Sequence, residues 1–167
     1  SYPGYNNLMI KRKMRIAVIV PAYNEGTVIY KVITRAYREF KKSVYDIDIV
    51  LVNDGSRDNT SDEAKRAGAI VINHILNSGA GSATATGLSY VNQAGYGIAA
   101  TMDADGQHQP RDVLKGIDII QKNNADLLIG SRLIDSRGMS KLKVVGNKGL
   151  STITFLLFGV YSTDSQS

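Results

Sequence analysis

The sequence predicts an α/β domain built on a mostly parallel, doubly wound sheet with helices on both faces. Three observations carry this. Short apolar runs alternate with longer segments whose apolar residues recur at helical spacing. The runs are continuous, as strands covered on both faces should be. They end repeatedly in clusters of polar, turn-forming residues, and strands joined by crossover helices build parallel sheets.

The elements follow in order. Residues 1–13 hold Pro3, Gly4 and the pair Asn6-Asn7 without periodicity and read as a loose leader, so the domain is taken as 14–167. Arg15 to Pro21 is the first strand; Val28, Ile29, Val32, Ile33, Ala36, Tyr37 and Phe40 then mark one apolar helix face. Ile47 to Val52 is the second strand, and Thr60-Ser61-Asp62-Glu63 has capping-box spacing, opening a helix to about Ala67. Ala69 to Ile72 is the third strand, followed by a helix from Ser82 to Gln93. Ile98 to Met102 is the fourth strand, and Pro110 suits the first turn of a helix through Val113, Leu114, Ile117 and Ile120. Asp126 to Gly130 is a fifth strand. A last helix is expected from Val145 to Phe158, where Phe155, Leu156, Leu157 and Phe158 would give an apolar face suited to self-association or peripheral membrane contact.

Composition narrows the class. The 167 residues, 43% apolar and 21% charged, suit one soluble-type globular domain with a real core. With no cysteine, disulfides and thiolate metal sites are excluded. The net charge of +5 is concentrated at Lys11, Arg12, Lys13 and Arg15 and again at Lys141, Lys143 and Lys148. That is a solvated surface or a patch for phosphate-bearing substrates or an anionic membrane. Basic residues are not interleaved with aromatics, which argues against nucleic acid. The run from Leu150 to Tyr161 is too short to span a bilayer, which takes about 20 apolar residues.

The chemistry is concentrated at strand ends, where doubly wound sheets bind ligands. Asp103 and Asp105 close the fourth strand one residue apart, so on an extended chain they face one side. Two such carboxylates suit Mg2+ or Mn2+, which keep positions open for substrate phosphate. Strand one ends in Pro21-Ala22-Tyr23-Asn24-Glu25, strand two in Asn53-Asp54-Gly55-Ser56-Arg57-Asp58-Asn59-Thr60, and strand five in Gly130-Ser131-Arg132. Turn chemistry alone accounts for Asp54-Gly55, and capping for Thr60. Four clusters on one rim point instead to a single nucleotide-binding cleft. His108 suits a supporting or capping role near the carboxylates.

Rival classes fail on particular residues. Gly79-Ala80-Gly81-Ser82-Ala83-Thr84 follows the third strand and has Thr84 where a dinucleotide fingerprint ends in Gly or Ala. Read as a calcium loop, Asp103-x-Asp105 places His108 where a glycine belongs. A nucleotidyltransferase would show a glycine-rich basic loop after strand one, which Pro21 to Glu25 is not.

In order, Val-Pro-Ala-Tyr-Asn-Glu (20–25), Asn-Asp-Gly-Ser-Arg-Asp-Asn-Thr (53–60), Asn77-x-Gly79-x-Gly81-x-Ala83, Asp103-Ala-Asp105-Gly-Gln-His and Gly130-Ser131-Arg132 resemble family 2 inverting glycosyltransferases, and among them the polyprenyl- and dolichyl-phosphate sugar synthases. The resemblance runs from about Ile16 to the C-terminus. It implies a GT-A, Rossmann-like fold, a UDP- or GDP-sugar donor, Mn2+ or Mg2+, a polyprenyl or dolichyl phosphate acceptor, and work at the cytoplasmic face of a membrane. Pro21, Tyr23 and Glu25 then resemble the nucleoside wall and Asp54 the carboxylate at the base edge. Asp103, Asp105 and Gln107 resemble the metal and diphosphate set, Arg132 a phosphate-binding arginine, and Lys148 and Ser151 part of the acceptor-phosphate site. Alternatives within the class are a sugar-hydroxyl acceptor, or a binding domain that keeps the fold without turnover.

Three departures stand out. Asn53 replaces the first aspartate of a common Asp-Asp-Gly-Ser, and Ala80 stands where a basic residue often lies between the glycines. The chain closes on Thr163-Asp164-Ser165-Gln166-Ser167, where that branch continues from Asp-x-x-Ser into Gly-Phe-Arg, so the domain reads as cut short.

Overall fold

A computed structural model describes residues 14–123 in full and the backbone of strands at 127–134, 140–143 and 154–159. Strands β1 (Arg15–Ala22), β2 (Asp46–Asn53), β3 (Ile70–Asn73) and β4 (Ile98–Thr101) alternate with helices α1 (Ile29–Phe40), α2 (Thr60–Arg66) and α3 (Ala80–Gln93). Helix α4 (Pro110–Asn123) and strands β5 (Leu127–Ile134), β6 (Ser140–Lys143) and β7 (Thr154–Gly159) complete the order. One sheet runs β3-β2-β1-β4-β7-β5-β6. Its first four strands are mutually parallel. The pairings of β7 with β4 and β5, and of β6 with β5, are antiparallel. Strands β1 to β5 therefore point one way, and only β6 and β7 run against them.

The period of two in β1 divides the core. Ile16, Val18, Val20 and Ala22 join the layer formed with α1, α2 and α4, including Ile29, Ile33, Phe40, Ala64, Val113 and Ile117. Ala17 and Ile19 face the opposite layer with Val50, Val52 and the α3 residues Ala83 and Val91. All the β1 members except Ala22 are wholly inaccessible, which is why this strand reads as an unbroken apolar run. Helix α1 buries Ile29, Ile33, Ala36 and Phe40, spaced four, three and four. Helix α3 lies so near the sheet that a Cβ on Gly87 would stand 2.5 Å from Ile19 Cγ2.

Three local expectations are corrected. Thr60 is not the cap of α2: Asn59 holds that position without a side-chain cap bond, and Thr60 is the first helical residue. Strand β5 continues to Ile134, so Gly130-Ser131-Arg132 lies within it rather than beyond its end. The helix expected from Val145 to Phe158 gives way, over its described part, to β7, with Ala99 opposite Phe158 on one side and Leu127 opposite Phe158 on the other. A contiguous run led by Thr154 and containing two phenylalanines fits a strand at least as well as a helix, and periodicity cannot separate the two. Residues 144–153 lie outside the described residues. The apolar helical face thought to offer membrane contact is thus not formed by Thr154–Gly159. Strand β6 carries no signal in its Ser-Lys-Leu-Lys sequence and was legible only from its pairing with β5.

Candidate functional site

The strand order turns around β1: β2 and β3 lie to one side and β4 to the other. Ligand clefts of doubly wound sheets open at that switch point, beyond the carboxyl ends of the strands. The ends line up there. Ala22 is in register with Asn53, Asn53 with Asn73, and Ile19 with Thr101. Backbone bonds carry the alignment past the strands, from Asp54 N to Ala22 O at 2.8 Å, His74 N to Asn53 O at 2.9 Å and Met102 N to Ile19 O at 2.9 Å.

Strand β4 ends at Thr101, so Asp103 and Asp105 occupy the turn after it rather than the strand itself. The alternation persists nonetheless. Met102, Ala104 and His108 are buried, while Asp103, Asp105 and Gln107 are exposed. Two bonds fix the turn: His108 Nδ1 accepts the Asp103 amide at 2.8 Å, and Asp105 Oδ1 accepts the Gln107 amide at 2.8 Å. An acceptor Nδ1 puts the imidazole proton of a neutral ring on Nε2. Gly106, at φ +77°, supplies the left-handed turn between the two bonds.

The β1–α1 loop is stitched to the β2–α2 loop. Asn24, itself at φ 54°, donates its amide to Ser56 Oγ and accepts the Arg57 amide on Oδ1, both at 2.9 Å. The Glu25 amide donates to Thr60 Oγ1 at 2.8 Å and the Gly26 amide to Asp58 Oδ2 at 2.9 Å. Asp58 Oδ1 also accepts the Thr60 amide and hydroxyl. Burial works to raise the Asp58 pKa, but the Thr60 hydroxyl and the Gly26 and Thr60 amides outweigh it and hold the carboxyl below the usual range. Tyr23, 45% exposed, and half-buried Glu25 are thereby presented at the rim.

Asp54 is 3% exposed, and both its oxygens are engaged by the protein. Oδ1 accepts the Ser78 amide at 2.9 Å and lies 2.7 Å from His74 Nδ1, while Oδ2 accepts the Gly79 amide at 2.7 Å. Burial alone would raise its pKa; the Ser78 amide, His74 and the Gly79 amide prevail and lower it. An ionised carboxylate offers about four acceptor sites, and these three bonds leave one of them, on Oδ2, unclaimed. Neighbouring Asn53 donates Nδ2 to Asn73 Oδ1 at 2.9 Å and accepts the Ser56 amide on Oδ1 at 3.2 Å. Its amide thus ties β2 to β3 and shapes the turn, which gives the departure from Asp-Asp-Gly-Ser a local structural role.

Carboxylates from the ends of different strands act on one another at the switch point. Burial raises the Glu25 pKa, and the charges of Asp105 and Asp58 raise it further. Glu25 from the end of β1 and Asp105 from the end of β4 therefore share one electrostatic environment. A cation relieves such repulsion. Among the described residues no three His, Cys, Asp or Glu side chains form a ready-made metal cage. Two outward carboxylates without a cage fit Mg2+ or Mn2+, which take one or two protein carboxylates and complete their shell with phosphate oxygens and water.

Of the residues singled out from sequence, Pro21, Tyr23, Glu25, Asp54, Asp103, Asp105 and Gln107 come together along the ends of three adjacent strands. The side chains of Arg132, Lys148 and Ser151 lie outside the described residues. Sequence reasoning missed the supporting roles of Ser56, Asp58 and Thr60, although polar residues at every second position of that loop were a signal. It also missed His74, which directly follows β3.

Residues 17–157 match the Glycosyl transferase family 2 domain. The chain belongs to that family, and its doubly wound sheet is the GT-A fold. It is 41% identical over 172 residues to the UDP-N-acetylglucosamine–dolichyl-phosphate N-acetylglucosaminyltransferase of Methanococcus voltae, covering 91% of this chain and 66% of that protein. It is 44% identical over 158 residues to an uncharacterized protein of Methanocaldococcus jannaschii, covering 93% of this chain and 63% of that one. The chain therefore spans less than two thirds of the length of these relatives. Glucosyl-3-phosphoglycerate synthase of Mycobacterium tuberculosis, solved with Mn2+, UDP-glucose and phosphoglyceric acid, superposes with a TM-score of 0.55 at 22% identity, over 70% of this chain and 42% of that one. At that identity the likeness concerns the fold.

Proposed function

We propose that this chain carries the donor site of a metal-dependent, inverting glycosyltransferase that moves a sugar from a UDP- or GDP-sugar to a polyprenyl or dolichyl phosphate. The observation that carries the reading is the outward set Asp103, Asp105 and Gln107 beside Glu25, at the switch point of the sheet. The activity for which the M. voltae relative is named supports the lipid phosphate as acceptor.

On this reading Tyr23 and Glu25 line the nucleoside side, and Asp54 supplies its remaining acceptor site to the base edge. Asp103 and Asp105, with Gln107, hold the metal and diphosphate. A bound Mg2+ or Mn2+ would supply positive charge against the departing diphosphate. Arg132, with Lys148 and Ser151, is assigned to the acceptor phosphate, where a guanidinium fork matches phosphate oxygens. A lipid phosphate is already ionised at neutral pH, so the chain needs to position it rather than deprotonate it. The basic residues Lys141, Lys143 and Lys148 suit peripheral contact with an anionic membrane at its cytoplasmic face. No described helix is long and apolar enough to cross a membrane.

The test is thermal-shift titration with UDP, GDP and their sugars, with and without Mn2+, followed by transfer to a short-chain polyprenyl phosphate with analysis of anomeric configuration. Metal-dependent stabilisation by one nucleotide and an inverted product are expected. Stabilisation that is indifferent to chelator, or a retained configuration, would count against the reading.

A further inference from the structure

His74 adds a polar link between two elements, β2 and α3, that also pack on each other through Val50, Val52, Ala83 and Val91. Its Nδ1 lies 2.7 Å from Asp54 Oδ1 at the end of β2, and its Nε2 lies 2.9 Å from Thr86 Oγ1 on α3. With Nδ1–H donating to the ionised Asp54, a neutral ring accepts the Thr86 hydroxyl on Nε2, so both nitrogens are satisfied. Asp54 in turn takes the Ser78 and Gly79 amides. One connected path, Thr86–His74–Asp54, thus ends on the backbone of the β3–α3 loop.

The loop's other side-chain bonds are local ones, Gly79 N to Asn77 Oδ1 at 3.2 Å and Ser78 Oγ to Leu76 O at 3.3 Å. Ile75 and Leu76, the large apolar residues it carries, are 97% and 75% exposed, so they do not anchor it by burial. Its backbone rests directly on Gly55: a Cβ there would stand 2.7 Å from both Asn77 N and Leu76 C. Gly55 is the next residue after Asp54, whose amide is bonded to Ala22 immediately before Tyr23. The loop therefore borders the nucleoside side of the cleft, and its place there is set by polar contacts converging on Asp54.

We propose that His74 is a positioning residue for the donor nucleotide: held by Thr86, it fixes Asp54 and thereby the Ser78 and Gly79 amides, so that the 75–79 loop forms a rigid wall of the nucleoside pocket. This rests on the donor-binding reading above. The role differs from that of a buried polar residue that merely stabilises the fold, because it depends on which ring nitrogen is kept.

Two substitutions separate the ring's halves. In His74→Asn the side-chain amide replaces Nδ1 and keeps a donor towards Asp54. In His74→Gln it reaches the Nε2 position and keeps only the Thr86 side. Hydrogen exchange of the Ser78 and Gly79 amides, and the Kd for UDP and GDP in Mn2+, are measured on both variants and on Thr86→Val. For His74→Gln we expect exchange about tenfold faster and nucleotide binding about tenfold weaker, the size of one charge-assisted bond. His74→Asn and Thr86→Val both lose the Thr86 bond and keep the donor to Asp54, so each should exchange faster and bind more weakly than the native protein by no more than about threefold. Equal effects of the Asn and Gln variants, or unchanged exchange in Gln, would overturn the proposal. If His74→Gln fails to fold, the ordering of native, Asn and Thr86→Val exchange still decides it, since exchange in Thr86→Val no faster than native removes the support from α3. If the native protein binds neither nucleotide, the donor-binding reading fails, while the exchange measurements judge the loop-holding role separately.

Discussion

The buried hydroxyl of Thr60 accepts the amide of Glu25 at 2.8 Å and donates to Asp58 Oδ1 at 2.5 Å. A residue of α2 thereby sets the backbone of the loop that follows β1. Thr60→Val keeps the shape and removes the oxygen, leaving the Glu25 amide without this acceptor. It should destabilise the fold by about 1–3 kcal/mol, whereas Thr60→Ser should cost much less. Urea unfolding of the two variants checks this; equal midpoints would mean that the hydroxyl does not matter.

Asp105→Ala should leave thermal stability of the unliganded protein nearly unchanged, because the side chain is exposed and its one described bond is to the Gln107 amide of the same turn. Stabilisation by nucleoside diphosphate with Mn2+ should be lost. Calorimetry in Mn2+ and in excess chelator tests both halves. Nucleotide binding by the variant that still responds to Mn2+ would remove Asp105 from the metal site.

Asp54→Asn replaces an ionised acceptor by a group carrying a donor. From sequence the exchange looks isosteric and harmful mainly to base recognition. The three internal partners of Asp54 change that expectation. Whichever way the amide turns, its NH2 faces the Ser78 or the Gly79 N–H, and a donor faces a donor. A loss of about 1–3 kcal/mol in stability should accompany any change in nucleotide preference. Denaturation alongside competition among UDP, GDP and ADP would show whether the two move together.

How much of this was legible in the sequence depended on the kind of force involved. The unbroken run Ile16 to Val20 and the four-three-four spacing of Ile29, Ile33, Ala36 and Phe40 report burial directly, so β1 and α1 were readable with their neighbours. The Asp103/Asp105 pair was readable as a same-facing set even though the strand stops at Thr101, because Met102 and Ala104 turn inward around it. What was not readable is contact between polar residues distant in the chain. Thr60 fits a capping box as well as a clasp on Glu25, and Asp54 fits a turn, a base reader or an anchor for Gly79. Strand β7 escaped for another reason: its place between β4 and β5 is decided by long-range pairing, which a contiguous apolar run does not encode.

Acid should weaken the fold through Asp54 and Asp58. Burial opposes ionisation of both, but their internal donors prevail and lower both pKa values. Between each lowered value and the ordinary value of about 3.9, the unfolded chain binds more protons, so stability rises with pH through that window. The contribution is complete above the ordinary value and is lost as pH falls through the folded one. Asp58→Asn should therefore be less stable than the native protein near neutrality and approach it on acidification below about pH 4. Urea midpoints followed across that range test this; parallel curves would mean that Asp58 titrates alike in both states.

Gly87 and Ile19 offer a test in which the sign of an effect reverses. Alanine at an interior helical position gains about 0.8–1 kcal/mol over glycine in propensity. At Gly87, however, the new Cβ would stand 2.5 Å from Cγ2 of Ile19, a wholly buried residue of the central strand β1. Overpacking of a dense core costs about 1–3 kcal/mol, so Gly87→Ala should destabilise the native background on balance. The helix is poorly placed to give way, since Thr86 alongside is tied to His74. In an Ile19→Ala background the obstructing methyl is gone. That change alone should cost about 2–5 kcal/mol through the cavity it leaves. Adding Gly87→Ala there should then stabilise, because the propensity gain remains and the methyl fills part of the vacated space. Denaturant unfolding of the four proteins in the cycle gives the coupling directly. The same sign in both backgrounds would show that α3 shifts to accommodate the methyl and that its approach to β1 does not require glycine.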